Sequence, residues 1–304
     1  MLGKLLKPFH LLASKPKSEM ALHIGLQSIC LVETSASGTF SVSYGSLKEE
    51  PSHLVLAQLL KSVKKGCRLH LVLNPELYQL VQIDKPTLPE SDMQQALPWQ
   101  VKDLVTVAAE DMVADYIDAP ETAGQSAKIN VVVASISALK PLVNVIAHAG
   151  MELSSIQPEE WLASFLMPPQ PHAAMLVIKQ PEQEMLIQIV KDGVLYFSRR
   201  TRGFSRMQFD NDTQWQNDWL DRLQLELQRS MDYFESQLKQ APVRDIGLLM
   251  PNAPQVAEML NSAGFSRVNT ITPASISQHC TDAELLQCWS AIAVLNQSAR
   301  DNAA

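Results

Sequence analysis

A short turn near the N-terminus carries the residues with the most suggestive chemistry. The stretch 21–34 is an apolar run, a small turn and a second apolar run, which predicts a β-hairpin. Glycine allows close backbone approach to a ligand, and the N–H groups and hydroxyls of such a turn can hold phosphate oxygens. Gly25, Gln27 and Ser28 are therefore candidate cofactor-binding residues. The structural alternative is a plain hairpin turn.

Two groups of charged side chains could also do chemistry. The acidic group could bind a metal or transfer protons, but it is typical of a solvated face; its members are Glu110, Asp111, Asp115 and Asp118. The basic group could contact phosphates or an acidic partner, but an ion-paired or solvated face is favoured; its members are Arg199, Arg200, Arg202 and Arg206. The histidines lack metal-ligand spacing, and P-loop, Gly-x-Ser-x-Gly and HExxH motifs are absent from the sequence.

Composition narrows the class of protein. The net charge of −7 disfavours a nucleic-acid-binding protein, because phosphate neutralisation needs clustered lysine and arginine. The four cysteines form no CxxC pair and are predicted to be buried reduced thiols: Cys30, Cys67, Cys280 and Cys288. Residues 1–17 have apolar residues at helical spacing together with four lysines. This leader could lie on an anionic membrane surface or on a partner, or pack on its own domain.

The elements that position these residues occur twice along the chain. Each half runs three meandering strands, then a helix, a strand and a helix, and 304 residues suffice for two lobes. A Pro-rich linker is predicted at Met167–Pro171 between the halves. This duplication predicts an α/β (α+β) fold of the actin-like or RNase H-like class, with two lobes and a cleft between them.

Several elements carry specific expectations. A helix from Ser91 or Asp92 to about Asp103 should break or kink at Pro98, because proline removes a hydrogen bond and clashes with the preceding turn. A helix is predicted over Glu159–Leu166. A long amphipathic helix is predicted over Asp212–Gln240 in the second half.

Several segments together resemble the PilM family, the actin-like component of type IV pilus assembly. They are most similar to its relative in the mannose-sensitive haemagglutinin (MSHA) pilus, the MshI branch. The order and spacing of the segments carry the resemblance over about residues 1–297: HIGLQSICLVE at 23–33, LPESDMQQALPWQVKDLV at 88–105, Asp115-Tyr116, VVVASISALKPLVNVIAHAGM at 131–151, KDGVLYFSRRTRG at 191–203 and LQLELQRSMDYFE at 223–235.

The resemblance implies a location and a partner. A PilM-like protein lies at the cytoplasmic face of the inner membrane and binds the N-terminal cytoplasmic tail of a PilN-like single-pass membrane protein. The pilus assembly ATPase is a second candidate partner, and residues 1–17 a candidate membrane contact. The implied domains are a leader at 1–17, a first lobe at 18–170 with an inserted subdomain at about 84–136, and a second lobe at 171–304 with a small subdomain at about 204–242.

The nucleotide motifs that the family pattern requires are altered at three places. The carboxylate of the first loop falls on His23 and its lysine on Cys30. The second Asp-x-Gly falls on Lys179 and Pro181, and neither residue suits phosphate or Mg²⁺. The expected Gly-Gly turn is replaced by Met250-Pro251-Asn252-Ala253. The prediction is that the chain is not an enzyme and binds no cofactor or metal, with Gly25, Gln27 and Ser28 left as a vestigial phosphate loop.

Three functional hypotheses follow. The favoured one is a non-catalytic scaffold that holds the partner's tail, with Leu97 and Trp99 as candidate partner-binding anchors or as subdomain core. The alternative is a divergent actin-like ATPase that binds and hydrolyses Mg-ATP. A third class, similar to the cytoplasmic domain of the type II secretion protein GspL, would be followed by a transmembrane helix.

Overall fold

Two five-stranded sheets and one three-stranded sheet form the framework of the protein. The computed structural model describes residues 18–34, 40–121, 124, 126–181, 183–204, 207, 219–271 and 281–303. The leader at 1–17 and most of the residues at 205–218 lie outside these ranges, so predictions about them stay predictions. Among the described residues, none of the helices is long and apolar enough to cross a membrane.

The first sheet has the order β3-β2-β1-β4-β8. Its strands are β1 (Glu19–Ile24), β2 (Ser28–Thr34), β3 (Phe40–Ser46), β4 (Arg68–Leu73) and β8 (Glu152–Pro158). The strands β1, β2 and β3 form the predicted antiparallel meander, and β1, β4 and β8 are parallel. The buried apolar runs of β1 and β4 fit strands that are covered on both faces.

The second sheet repeats this order as β11-β10-β9-β12-β13. Its strands are β9 (Ala174–Ile178), β10 (Met185–Lys191), β11 (Val194–Thr201), β12 (Asp245–Leu249) and β13 (Val268–Thr270). The second meander and the parallel β9–β12–β13 set have the same pairing as their first-lobe counterparts. The predicted duplication is therefore present in the strand order.

The third sheet, β5-β7-β6, is built from residues between β4 and β8. Its strands are β5 (Tyr78–Asp84), β6 (Met112–Asp118) and β7 (Lys128–Ser135). One face packs on the helix α2 (Glu90–Val101), while Tyr78, Val132 and Ala134 of the other face join the core of the first lobe. The domain limits given above remain predictions.

The remaining helices cover the two large sheets. They are α1 (Ser52–Leu60), α3 (Ile136–His148), α4 (Leu220–Ser236), α5 (Ala253–Ser262) and α6 (Asp282–Ala303). One core lies outside the first sheet under α1 and α3, and another lies outside the second sheet under α4 and α5. A further core joins the two sheets around α6, whose Trp289 is 1% exposed. This last core brings the two meanders into one structure.

Three predicted helices differ in detail. The helix α2 continues through Pro98 to Val101 without the expected break, so the chain stays helical for three residues beyond the proline. Glu159–Leu166 forms two short 3₁₀ turns (Glu159–Trp161 and Ala163–Leu166) rather than one α-helix. The helix α4 ends at Ser236, four residues before the predicted Gln240, and the first residues of the predicted helix lie outside the described ranges.

Candidate functional site

The turn between β1 and β2 is held by its own backbone and by a buried asparagine. The N–H of Gly25 donates to the carbonyl of Ser28 at 2.9 Å, so this group is already used. A Cβ on Gly25 would lie 2.8 Å from the same carbonyl oxygen, which explains the glycine without a ligand. Asn74 donates its Nδ2 to the carbonyl of Ile24, and the carbonyl of Gln27 accepts from Leu47. In the candidate phosphate loop, the N–H of Gly25 and the carbonyl of Gln27 therefore already make hydrogen bonds within the protein.

A buried group of ionic and polar side chains lies where the first lobe meets β11 of the second. We call it the interlobe cluster; its members are His23, Tyr78, Glu159, Glu160 and Arg200. His23 Nε2 lies 3.0 Å from Glu159 Oε2, within ion-pair distance although the angle does not suit a hydrogen bond. Arg200 pairs with both glutamates, and its Nε is 2.6 Å from Glu160 Oε1. Tyr78 donates its hydroxyl to Glu160.

The electrostatics of this cluster depend on Arg200. Burial alone would raise the pKa of Glu159, but the contact with His23 and the charge of Arg200 outweigh it and hold that pKa below its usual range. Burial lowers the pKa of Arg200, and the two carboxylates more than compensate and raise it. The cluster therefore keeps Glu159 ionised and Arg200 charged in a site almost closed to water.

The second candidate loop, after β9, meets the first loop through the helix α6. The side chain of Gln180 donates to the backbone carbonyl of Gln287 at 3.2 Å, and the side chain of Gln287 donates to Ser28 Oγ at 2.8 Å. Lys179 is fully buried, and its Nζ donates to the carbonyl of Gln180 at 2.5 Å. One residue of α6 thus bridges the two turns that would hold phosphates from opposite sides.

The third candidate motif lies between β12 and α5. Asn252 has φ 55°, the left-handed conformation that glycine adopts most readily, and it is the N-cap position of α5. The backbone shape expected of a glycine turn is therefore kept at one position. Pro251 and Ala253 beside it present side chains where the family pattern has hydrogen.

The prediction of reduced thiols is wrong for two of the four cysteines. Cys30 of β2 and Cys288 of α6 form a disulfide with a Cα–Cα distance of 6.0 Å. Spacing in the sequence could not indicate this pairing, because 258 residues separate the two positions. Cys67 is a buried free thiol as expected, and Cys280 lies outside the described residues.

A small apolar cavity opens between the first and third sheets. It has a volume of about 20 Å³ and is walled by apolar residues of β4, β6, β7, β8 and α3, among them Leu73, Val113 and Leu139. Asp115 also lines it. Burial raises the pKa of Asp115, and the hydrogen bond from the Tyr116 backbone N–H opposes only part of this effect. A carboxyl group in an apolar wall is suited to a partner's basic or hydrogen-bond-donating group.

The two candidate anchors on α2 have opposite environments. Leu97 is fully buried in the core between α2 and the third sheet, so it has no surface to offer. Trp99 is 66% exposed, and Lys102 Nζ lies 6.0 Å from the centre of its ring. Only Trp99 is therefore available for direct contact.

In the described part of the chain, the acidic residues singled out from the sequence do not gather into one site, and the arginines are paired with glutamates. Asp111 accepts from Ser135 and Ser137 at the start of α3, and Asp118 pairs with Lys85. No cluster of three or more potential metal ligands occurs among the described residues. Three of the arginines are ion-paired as favoured: Arg199 with Glu226, Arg200 with Glu159 and Glu160, and Arg202 with Glu184. Arg206 lies outside the described residues.

Sequence reasoning missed Glu159 and Glu160, which complete the interlobe cluster. Two consecutive acidic residues directly after the strand β8 are an available signal, because parallel strands end at one edge of a sheet. The expectation of a helix over Glu159–Leu166 gave neither residue a place in a site.

Comparisons with known proteins identify the fold. No protein-family model and no curated protein matches the sequence. A solved structure described as the PilM-PilN type IV pilus biogenesis complex superimposes with a TM-score of 0.66 at 15% identity, covering 93% of this chain and 98% of that one. This likeness bears out the predicted mixed α/β, actin-like fold of the PilM type.

Two further structures match more loosely, with TM-scores of 0.49. One is the cytoplasmic domain of EpsL, an inner-membrane component of the type II secretion system of Vibrio cholerae, at 13% identity over 90% of this chain and 94% of that one. The other is a Bacteroides thetaiotaomicron protein with an actin-like ATPase fold and unknown function, at 11% identity over 90% and 96%.

Proposed function

We propose that this protein is a non-catalytic scaffold of type IV pilus biogenesis, of the MSHA type. It acts at the cytoplasmic face of the inner membrane and binds the cytoplasmic tail of a PilN-like protein. The likeness in fold to the PilM-PilN complex and the sequence segments that resemble PilM support this assignment. The pilus assembly ATPase is a further proposed partner, and residues 1–17 a proposed membrane contact.

The interlobe cluster is the observation that carries the non-catalytic part of the proposal. His23 stands at the position of the metal-organising carboxylate and is engaged by Glu159. Because Mg²⁺ prefers oxygen ligands and octahedral geometry, an imidazole paired with a buried carboxylate is a poor replacement. Gln287 also joins both loops, so a hydrogen-bonded bridge lies between the two turns where the family pattern places phosphates.

The proposed tail site is the cavity beside Asp115, with Trp99 on the outer side of the same subdomain. At about 20 Å³ the cavity has room for about one water molecule, and Leu73 and Leu139 are buried, so an extended tail would contact its partly exposed rim at Val113. A basic residue of the tail would meet the Asp115 carboxyl. The partly exposed Val113 and Asp115 are therefore the proposed contact points, one apolar and one polar.

Calorimetric titration with Mg-ATP, together with a phosphate-release assay, tests the loss of ATPase function. We expect neither binding in the micromolar range nor turnover above a blank. Micromolar binding with measurable turnover would establish the divergent ATPase instead.

Titration with a peptide of the PilN-like tail tests the scaffold. We expect micromolar binding by the native chain and weakening of at least about tenfold on Asp115→Asn, which is about 1.4 kcal/mol. A matched control is Asp118→Asn, on the same strand but exposed and paired with Lys85. Absence of binding by the native chain, or equal loss in both variants, would overturn the tail assignment.

A further inference from the structure

A second, much larger groove separates the third sheet from the second lobe. Its volume is about 1160 Å³, above the roughly 300–1,000 Å³ typical of small-molecule pockets. One wall is the face of the third sheet that α2 does not cover, with Leu80, Gln82 and Asn130. The other wall is β11, and the end of α4 closes the groove at Tyr233. We call it the interlobe groove; it is distinct from the cavity beside Asp115.

The backbone of β11 gives this groove its binding potential. Within the described part of the chain β11 pairs only with β10, so it is the edge strand of its sheet. Alternate N–H and C=O groups of an edge strand point away from the sheet and can pair with another strand. All residues of β11 are at least partly exposed, which leaves this edge accessible. An added strand would lie about 4.8 Å from β11.

The shape of the groove selects the kind of segment that can enter. The third sheet stands opposite β11, so the space suits one extended segment rather than the edge of a second folded sheet. Apolar side chains are available on both walls: Leu80, 39% exposed, on one side, and Leu195 and Phe197, partly exposed, on the other. Side chains of an added strand would alternate between the faces of the second sheet.

The charges of the groove indicate an acidic segment. Asp84 lies opposite Lys128 in register, but it accepts from Ser126, and Lys128 makes no ion pair among the described residues. Arg199 is already paired with Glu226 and Arg200 with Glu159 and Glu160, so Lys128 is the cation of the lining without an ion pair among the described residues.

The lining also has two acidic side chains, one of which is neutralised by a described ion pair. They are Glu160 and Glu121, and Glu160 is already engaged by Arg200 and Tyr78. The chain's own leader has lysines at 4, 7, 15 and 17, so its charge does not match a groove whose unpaired cation is Lys128.

We propose that the interlobe groove binds an extended segment of another protein, which adds as a strand to β11 and carries alternating apolar residues and at least one carboxylate. Such a partner would contact both lobes at once. It would also leave the Asp115 cavity free, so the protein could hold two partners together.

A displayed library of random peptides, selected on the immobilised full chain, tests this proposal. We expect enriched peptides in which apolar and acidic residues alternate. Synthetic versions should bind at least about tenfold more weakly to Lys128→Glu, and their lysine-for-glutamate counterparts should bind that variant more tightly. Lys140→Glu, the same charge change on the exposed face of α3 outside the groove, should bind as the native chain does.

Hydrogen exchange of the native chain with the enriched peptide supplies a readout independent of the variants. We expect slowed exchange of alternate amides of β11 between Leu195 and Arg200, and no change in the opposite edge strand β13. Absence of enrichment, peptides without carboxylates, protection confined to the Asp115 cavity, or concentration-dependent protection without peptide would each overturn the proposal. The last result would assign the groove to a second copy of this chain.

Discussion

At the scale of single residues, the interlobe cluster is a buried ion-pair network where the two lobes meet. Arg200 is the one cation that faces both Glu159 and Glu160, and its side chain is 14% exposed. Buried charges are tolerated when they are paired, and removing one partner leaves an uncompensated charge. The cluster is therefore stabilising only while all of its charges are paired.

Arg200→Ala should be strongly destabilising. We expect a loss of about 3–5 kcal/mol in the free energy of unfolding, measured by urea denaturation, because two buried carboxylates lose their counter-charge. The matched control is Arg202→Ala. Arg202 lies two residues after Arg200, just beyond the end of β11, and its side chain is 90% exposed and paired with Glu184. That variant should change stability by less than about 1 kcal/mol. Equal losses in the two variants would contradict the role given to the cluster.

The same cluster predicts how stability depends on pH. The pKa of Glu159 is lower in the folded chain than its ordinary value of 4.5. Its stabilising contribution is therefore complete above pH 4.5 and is lost as the pH falls through the folded pKa. We expect unfolding free energy to drop below pH 4.5, and less steeply in Glu159→Gln.

Glu19 provides the background for that measurement. Contact with His70 outweighs burial and lowers the pKa of Glu19, so the Glu159→Gln variant should keep a residual slope in the same direction. Identical slopes of unfolding free energy against pH in the native chain and the variant would show that the pKa of Glu159 does not change on folding.

At the scale of elements, the β1–β2 hairpin is preserved by packing and backbone geometry. Gly25 is needed because a side chain would strike the Ser28 carbonyl, and Asn74 fixes the turn from the next loop. The hairpin can thus be retained whether or not a nucleotide is bound.

Gly25→Ala should separate backbone geometry from ligand binding. The added Cβ must displace backbone rather than a flexible side chain, so we expect a loss of about 1–3 kcal/mol in thermal or urea unfolding without any nucleotide present. Gln27→Ala in the same turn has an exposed side chain and should cost less than about 0.5 kcal/mol. A neutral Gly25→Ala variant would leave the glycine without a structural reason.

The helices and strands also show which features of the fold could be predicted from the sequence and which could not. Alternation and buried apolar runs located the strands, and the repeated meander predicted the shared strand order of the two sheets. The helix α2 continues for three residues past Pro98, although proline removes one backbone donor. Periodicity alone does not show where such a helix ends. The 3₁₀ turns at Glu159–Leu166 depend on burial of both glutamates against Arg200, a contact made across 40 residues of chain.

At the scale of the whole molecule, one covalent bond closes nearly the entire chain into a loop. The Cys30–Cys288 disulfide attaches α6 to the first sheet within the core that joins both lobes. Pairings of this range depend on the completed fold, so neither spacing nor composition could have predicted it.

Reduction of this disulfide should lower stability without abolishing the fold. A loop with a sequence separation of 258 corresponds to about 5.6 kcal/mol of chain entropy, and measured effects are typically about 2–4 kcal/mol. We expect the melting temperature to fall on addition of a reductant, and the Cys30→Ser/Cys288→Ser variant to melt at the reduced value with or without it. A native chain insensitive to reductant would show that the bond does not form in solution.

The position of α6 also has a consequence for biosynthesis. A ribosome that has translated residues 1–281 has produced every strand of both large sheets, but not the helix that fills the space between them. Apolar side chains on the inner faces of β1, β2 and β9 then remain open to solvent on the nascent chain. The two halves therefore cannot mature one after the other, and the finished core forms only once the last helix has left the exit tunnel.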